Sequence, residues 1–276
     1  MIPDTTTASR SYFANDSTSK DLIADANLLY QHSFGSIESR TVAGVEYRKS
    51  ESTNTRWWAP AADLDWTNPV YSGGIDLSTL APLSSTANKT TGKAIYLQQE
   101  LNFSERVIAS LGLRHDWSDV TQTNRLSGVV TTGDASDTTQ RIGLTYKIRP
   151  DLSIYGSYAE SVVPASSLSM EPERGNQYEL GVKYAPEGMR ALFTASIFDL
   201  SKTDITRTNP ITMLPETLGE VRVRGLDLEA KAELTDALSL TAAYSYLDSE
   251  IVANGTAGNE GNQLSFVPEN MASLWL

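Results

Sequence analysis

Hydrophobic and polar residues alternate with period two along most of the chain. Tyr178, Leu180, Val182 and Tyr184 interleave with Gln177, Glu179, Gly181 and Lys183. Ile142, Leu144, Tyr146 and Ile148 interleave with Arg141, Gly143, Thr145 and Lys147. The same rhythm runs through Leu22 to Tyr30, Val107 to Leu113 and Leu238 to Tyr246. Successive strand side chains point to opposite faces, so each segment predicts a strand with one apolar and one polar face. No segment sustains a 3.6-residue period, and β-branched and aromatic residues fill the strands. The pattern predicts about twelve strands, near 8–16, 20–32, 36–48, 92–103, 106–118, 138–149, 152–161, 175–185, 189–202, 219–234, 238–250 and 269–276.

The connections alternate in length. Short turns fall at Ser33-Phe34-Gly35, Phe103-Ser104-Glu105, Arg149-Pro150-Asp151, Pro186-Glu187-Gly188 and Thr235-Asp236-Ala237. Long polar segments fall at 49–91, about 119–137, 162–174, 203–218 and 251–268. In an antiparallel meander this trims one end of the sheet and elaborates the other. A transmembrane barrel does so, with short periplasmic turns and long extracellular loops. Predicted strands of roughly 10–14 residues exceed the usual 5–6 and suit a tilted membrane crossing. Tyr30, Tyr47, Tyr96, Trp117, Tyr146, Tyr155, Tyr158, Tyr178, Tyr184, Tyr244, Tyr246 and Trp275 supply rings for interfacial girdles. A propeller would need a blade signature, which is missing, and a sandwich would give connections of mixed length. Parity switches at Arg224-Gly225, between Val221 and Val223 on one side and Leu226 and Leu228 on the other. Either a glycine bulge explains this, or the two valines lie beyond the membrane.

Composition narrows the chemistry. The 276 residues carry a net charge of −12 and no cysteine. That excludes disulfides and thiolate sites, and argues against nucleic acid as partner. No apolar run is long enough for a transmembrane helix, and the N-terminal residues do not form a signal peptide. His32 and His115 are the only histidines, and neither comes with a nucleophile motif, so the chain does not read as an enzyme. Gly92-Lys93 lacks the residues of a phosphate loop. Asp63 and Asp65 read as solvated loop carboxylates rather than a metal site. The Asn88 and Asn254 triplets carry no meaning without a glycosylating context.

The segment from Glu171 through Arg174-Gly175-Asn176-Gln177-Tyr178-Glu179-Leu180-Gly181-Val182-Lys183-Tyr184 resembles the barrel of TonB-dependent siderophore receptors, near the ferrichrome and hydroxamate type. The series continues in order with Ala191–Leu200, Gly219–Ala230, Leu238–Asp248 and Ala272-Ser273-Leu274-Trp275. The resemblance covers about 92–276 well and 20–48 loosely; 49–91 carries no signature. It implies an outer-membrane barrel of roughly 22 strands, of which this chain would hold about half. It also implies a plug domain that contacts the TonB complex; the chain shows no plug and no coupling segment. One domain, 1–276, is expected, with 49–91 as a long extracellular loop.

The resemblance further implies uptake of ferric siderophores across the bacterial outer membrane, with lipid around the barrel and no covalently bound cofactor. The iron would arrive already chelated, so no protein iron ligand is expected. Trp57, Trp58, Trp66 and Tyr71 are candidate ligand contacts, since aromatics give large contact area at low entropy cost. Glu100, Glu179, Lys183, Asp227, Glu229 and Lys231 are expected to face the lumen, touching a plug or a hydrated path. A passive porin and a soluble β-rich domain remain alternatives. The first and last strands would expose unpaired edges, an aggregation hazard.

Overall fold

In a computed structural model, residues 6–71, 73–104, 106–163, 172–208, 215–253 and 258–276 are described, the side chains of 206–208 and 215–218 excepted. Glu105, Glu171 and Asn254, named above, lie outside these residues.

Among the described residues the strands are β1 (Thr7–Phe34), β2 (Ile37–Asp65), β3 (Ser84–Phe103), β4 (Val107–Asn124), β5 (Val130–Arg149), β6 (Leu152–Val163), β7 (Glu173–Tyr184), β8 (Ala191–Thr208), β9 (Pro215–Thr235), β10 (Leu238–Ala253) and β11 (Asn270–Trp275), with a 3-10 turn at Leu77–Thr79. They form one sheet whose spatial order is the sequence order. The registered neighbours from β5 to β11 are all antiparallel. β1 and β11 each pair on one side only, leaving open edges.

Two expectations change. The segments 8–16 and 20–32 form one continuous strand, β1, so there are eleven strands rather than twelve among the described residues. Polar residues at Asn15-Asp16-Ser17 interrupt the apolar row without breaking the backbone ladder. The 49–91 segment is not one long loop: β2 runs to Asp65 and β3 begins at Ser84, so only 66–83 connects them. Outside hydrocarbon both faces of a strand can be polar, and apolar alternation then ceases to mark where the strand ends.

The chain divides into two compact units. One holds residues up to Ala24, Tyr47–Lys93 and Ser118–Asp134; the other holds Asp25–Glu46, Ala94–Trp117 and Ala135–Leu276. The second unit takes 25–34, 37–46, 94–103 and 107–117 from β1 to β4, ten or eleven residues each. That is the length of a tilted β-crossing of a bilayer.

The fold has almost no protein core. Among the described residues the buried hydrophobic side chains are Ala59, Ala94, Val221, Ala232 and Ile251, mostly alanines. The apolar rows stay open: Leu144 is 55%, Leu180 58% and Ile197 56% exposed. A soluble sandwich would cover such a face with a second sheet. Here no second layer is present among the described residues, and the apolar face stays open, as on the outer wall of a membrane barrel.

Register is straight through the parity switch. Arg224 pairs with Asp199 and Asp248, and Gly225 with Phe198 and Leu247, with no offset between them. The bulge is therefore absent. Val221 stays on the face of Asp227 and Glu229 and is buried with Ile251 beneath Leu264. Its apolar character has a local packing cause.

Candidate functional site

The polar face of the second unit is a connected wall. Tyr155 on β6 faces Gly181 across the ladder. Its hydroxyl donates to Glu179 Oε1 at 2.5 Å, and Gln177 Nε2 donates to Glu179 Oε2 at 3.0 Å. The Lys183 ammonium stands 5.0 Å from the Tyr155 ring centroid, within cation–π range. On the next strands Ser245 donates to Asp227 at 2.6 Å. Register across β7, β8 and β9 sets this up: Glu179 pairs with Phe198, and Phe198 with Gly225, while Lys183 pairs with Thr194, and Thr194 with Glu229.

The six proposed lumen residues thus divide. Glu179 and Lys183 converge on Tyr155, Asp227 is engaged with Ser245, and Glu229 and Lys231 are exposed on β9, with Glu229 pairing across to Thr194. Glu100 lines a separate groove with Arg40, Gln98, Ser110 and Arg141.

A second polar cluster went unrecognised in the sequence. Arg114 donates to Asp116 at 2.8 Å and to Glu46 at 3.2 Å, and its guanidinium stands 5.9 Å from the Tyr96 ring centroid. Tyr96 in turn donates to Asp25 at 2.9 Å. Asp25, Glu46, Tyr96 and Arg114, with Gln98 and Arg141, line a groove of about 440 Å³. Strand parity was the available signal, since Tyr96 and Tyr155 alternate against the apolar Ile95, Leu97 and Ile154. Both tyrosines therefore leave the girdle and join the polar face.

The girdle itself survives on the apolar face. Tyr158 and Tyr178 pair across β6 and β7 with ring centroids 4.8 Å apart. Tyr184 and Phe193 pair across β7 and β8 at 6.3 Å. Six residues along β7 separate the two layers, about 20 Å of strand. Asp199 sits beside the upper layer, opposite Tyr178, and is bound by Arg222 with Arg224 at 3.4 Å.

The first unit has two differing faces on β2. Asn54 donates to Ser17 at 2.7 Å, and Asn15 donates to the same hydroxyl at 2.9 Å. Thr55, on the opposite side, bonds Ser85 at 3.0 Å. Consecutive Trp57 and Trp58 therefore cannot share one surface. Trp58 shares the Asn54 side and is 50% exposed, whereas Trp57 is half-buried on the Thr55 side. Trp66 and Tyr71 are exposed in the 66–83 connection. Asp65 begins it, accepting from Thr67 Oγ1 at 2.6 Å and Thr67 N at 2.9 Å, which holds its carboxyl below the usual range. Asp76 likewise accepts from Ser78 N at 2.9 Å and caps the 3-10 turn.

His115 Nδ1 is 2.7 Å from Thr138 Oγ1, and its ring abuts Trp117 edge-on at 4.3 Å.

Comparison with known proteins fits this geometry. The family model described as TonB dependent receptor-like, beta-barrel, matches residues 2–276. The ferrichrome outer membrane transporter/phage receptor of Escherichia coli (strain K12) is 30% identical over 96% of this chain, which covers 37% of that protein. The ferrioxamine B receptor of Salmonella typhimurium (strain LT2) is 29% identical over 88% of this chain and 35% of its own length. The chain thus spans well under half of these relatives. In fold it is similar to the crystal structure of the siderophore receptor PiuA from Acinetobacter baumannii, with TM-score 0.79 and 22% identity, covering 95% of this chain and 44% of that one.

Proposed function

This chain belongs to the TonB-dependent receptor β-barrel family, and we propose that it forms part of the barrel wall of an outer-membrane receptor for ferric siderophores, energised through TonB. The observation that carries the reading is the pairing of faces in the second unit. One face leaves the apolar Leu144, Leu180 and Ile197 exposed, and the other links Tyr155 with Glu179 and Lys183, and Ser245 with Asp227. Relatives named for ferrichrome and ferrioxamine B make a hydroxamate chelate the favoured cargo. Membership in the receptor family favours this over a passive channel.

The wall's chemistry suits passage of a polar cargo or contact with a polar domain. Hydrogen bonds hold the carboxylates of Glu179 and Asp227, and the Tyr155 ring faces the Lys183 ammonium, so these groups keep fixed positions. Trp58, Trp66 and Tyr71 supply exposed aromatic surface in the first unit. Iron enters as substrate, already wrapped by its chelator, and the wall needs to supply no metal ligand.

The test is genetic. The encoding gene is disrupted in its host, and growth is followed under iron limitation with ferrichrome or ferrioxamine B as sole iron source. Loss of growth and of radiolabelled iron uptake, restored by the intact gene and abolished without TonB, is expected. Uptake unaffected by the disruption overturns the reading.

A further inference from the structure

The apolar face of the sheet is not flat. Between β7 and β10 it carries a trench of about 450 Å³. The floor is alanine on three successive strands: Ala195 on β8, Ala230 on β9 and Ala242 on β10. Register sets the shape. Ala230 pairs with Phe193 on one side and Ala242 on the other, while Ala195 pairs with Val182 and Leu228. The alanines therefore run diagonally across the sheet. Tyr184 and Phe193 form one bank, and Leu228 and Tyr244 form the other. Elsewhere on this face larger side chains such as Leu180 and Ile197 stand out from the sheet.

Both banks are held in place. The Tyr184 and Phe193 rings stack at 6.3 Å with their planes 26° apart. The Tyr244 hydroxyl donates to Asn270 Oδ1 on β11 at 2.7 Å. In hydrocarbon the hydrophobic effect does not favour one apolar surface over another, so contact there is decided by packing. Atoms lining an unfilled hollow lose their dispersion partners on that side. A hollow between fixed banks thus favours an occupant that fills it. No second layer covers it among the described residues, and it is continuous with the face that an outer-membrane barrel turns to lipid.

We propose that this trench holds one acyl chain of a phospholipid from the periplasmic leaflet, as an ordered and slowly exchanging lipid. The width selects the occupant. Phe193 and Leu228 are diagonal neighbours on β8 and β9, and such positions lie about 7–8 Å apart. Their side chains leave room for a single methylene chain and not for an α-helix, which is about 10–12 Å across. Position selects the leaflet. Tyr184 and Phe193 flank the short connection between β7 and β8, and short turns mark the periplasmic side. Banks fixed before the chain arrives lower the cost of holding it. The site depends on the barrel's place in the outer membrane and not on its cargo.

The experiment uses the intact receptor in vesicles of phosphatidylethanolamine and phosphatidylglycerol, with some phosphatidylethanolamine carrying a photoactivatable diazirine on one acyl chain. After illumination, labelled residues are mapped by mass spectrometry. Label is expected to concentrate on Phe193, Leu228 and Tyr244, several-fold above Leu144 and Leu180 on the open wall. Ala230→Leu fills the floor and should bring trench labelling down to the level of Leu180. Leu228→Ala lowers one bank without adding bulk and should reduce the label on Phe193 and Tyr244 as well. Even labelling of trench and open wall in the wild-type receptor, or trench labelling that survives Ala230→Leu, overturns the site. Displacement of the label by added outer-leaflet glycolipid overturns the phospholipid assignment. None of these outcomes touches the siderophore reading, which the uptake test decides alone.

Discussion

The Tyr155 ring occupies the space that a side chain on Gly181 would need. A Cβ built on Gly181 falls 2.5 Å from Tyr155 Cζ and 2.6 Å from its hydroxyl. The two residues pair directly across β6 and β7, and the ring crosses the gap to reach Glu179. Phe198 covers Gly225 in the same manner, at 2.5 Å from the built Cβ. A missing side chain on one strand thus lets an aromatic from its neighbour lie against the sheet, and on β7 this positions the hydrogen bond to Glu179.

Gly181→Ala should displace Tyr155 and break its bond to Glu179. Overpacking of this kind costs about 1–3 kcal/mol. A lower unfolding midpoint in detergent, partly recovered by combining it with Tyr155→Ser, is the expected result. Unchanged stability would show that the ring moves aside freely.

Asp199 accepts from Arg222 and stands within 4 Å of Arg224, beside Tyr178 at the girdle. Asp199→Ala leaves two neighbouring guanidiniums without that partner. Because the three side chains are a third to a half exposed, the loss should stay near 1 kcal/mol. Adding Arg222→Gln in the same background should restore part of it. A double-mutant cycle on the purified receptor measures the coupling.

Acid should loosen the 66–83 connection. Hydrogen bonds from Thr67 and Ser78 hold the Asp65 and Asp76 carboxyls below their ordinary values. A depressed folded value means the stabilisation is present above the unfolded carboxylate value, about 3.9, and is lost as pH falls through the lower folded value. Trp66 fluorescence, adjacent to Asp65, should therefore change below about pH 4. Asp65→Asn should remove that part of the transition.

Trp57 and Trp58 should differ in effect despite being neighbours. Trp58→Ala removes an exposed ring on the Asn54 side and should weaken chelate binding by roughly tenfold, about 1.4 kcal/mol. Trp57→Ala removes a half-buried ring and should act mainly on stability. Binding isotherms and thermal midpoints of the two single variants separate the roles. Equal loss of binding in both would contradict the division of faces.

Much of the barrel was legible before any coordinates. The rows from Tyr178 to Tyr184 and Ile142 to Ile148 determined strand identity and lipid-facing parity, because a period of two admits only one assignment of faces in a one-sided environment. The ordered motifs from Arg174 onward carried the family. Glu179, Lys183, Asp227 and Glu229 fell on the polar face for the same reason of parity.

Tertiary structure decided what depends on more than one strand. Sequence alternation showed where apolar rows stop, but only the ladder showed that β2 continues to Asp65 and β3 starts at Ser84, since backbone hydrogen bonds persist where side chains turn polar on both faces. The aromatic positions near strand ends pointed to a girdle, yet Tyr155 and Tyr96 face the polar side and are fixed by glutamate and aspartate partners on other strands. Val221 looked like a register fault and is a valine buried under Leu264 from a distant connection. Each of these rests on cross-strand contact, which a single strand's periodicity does not encode.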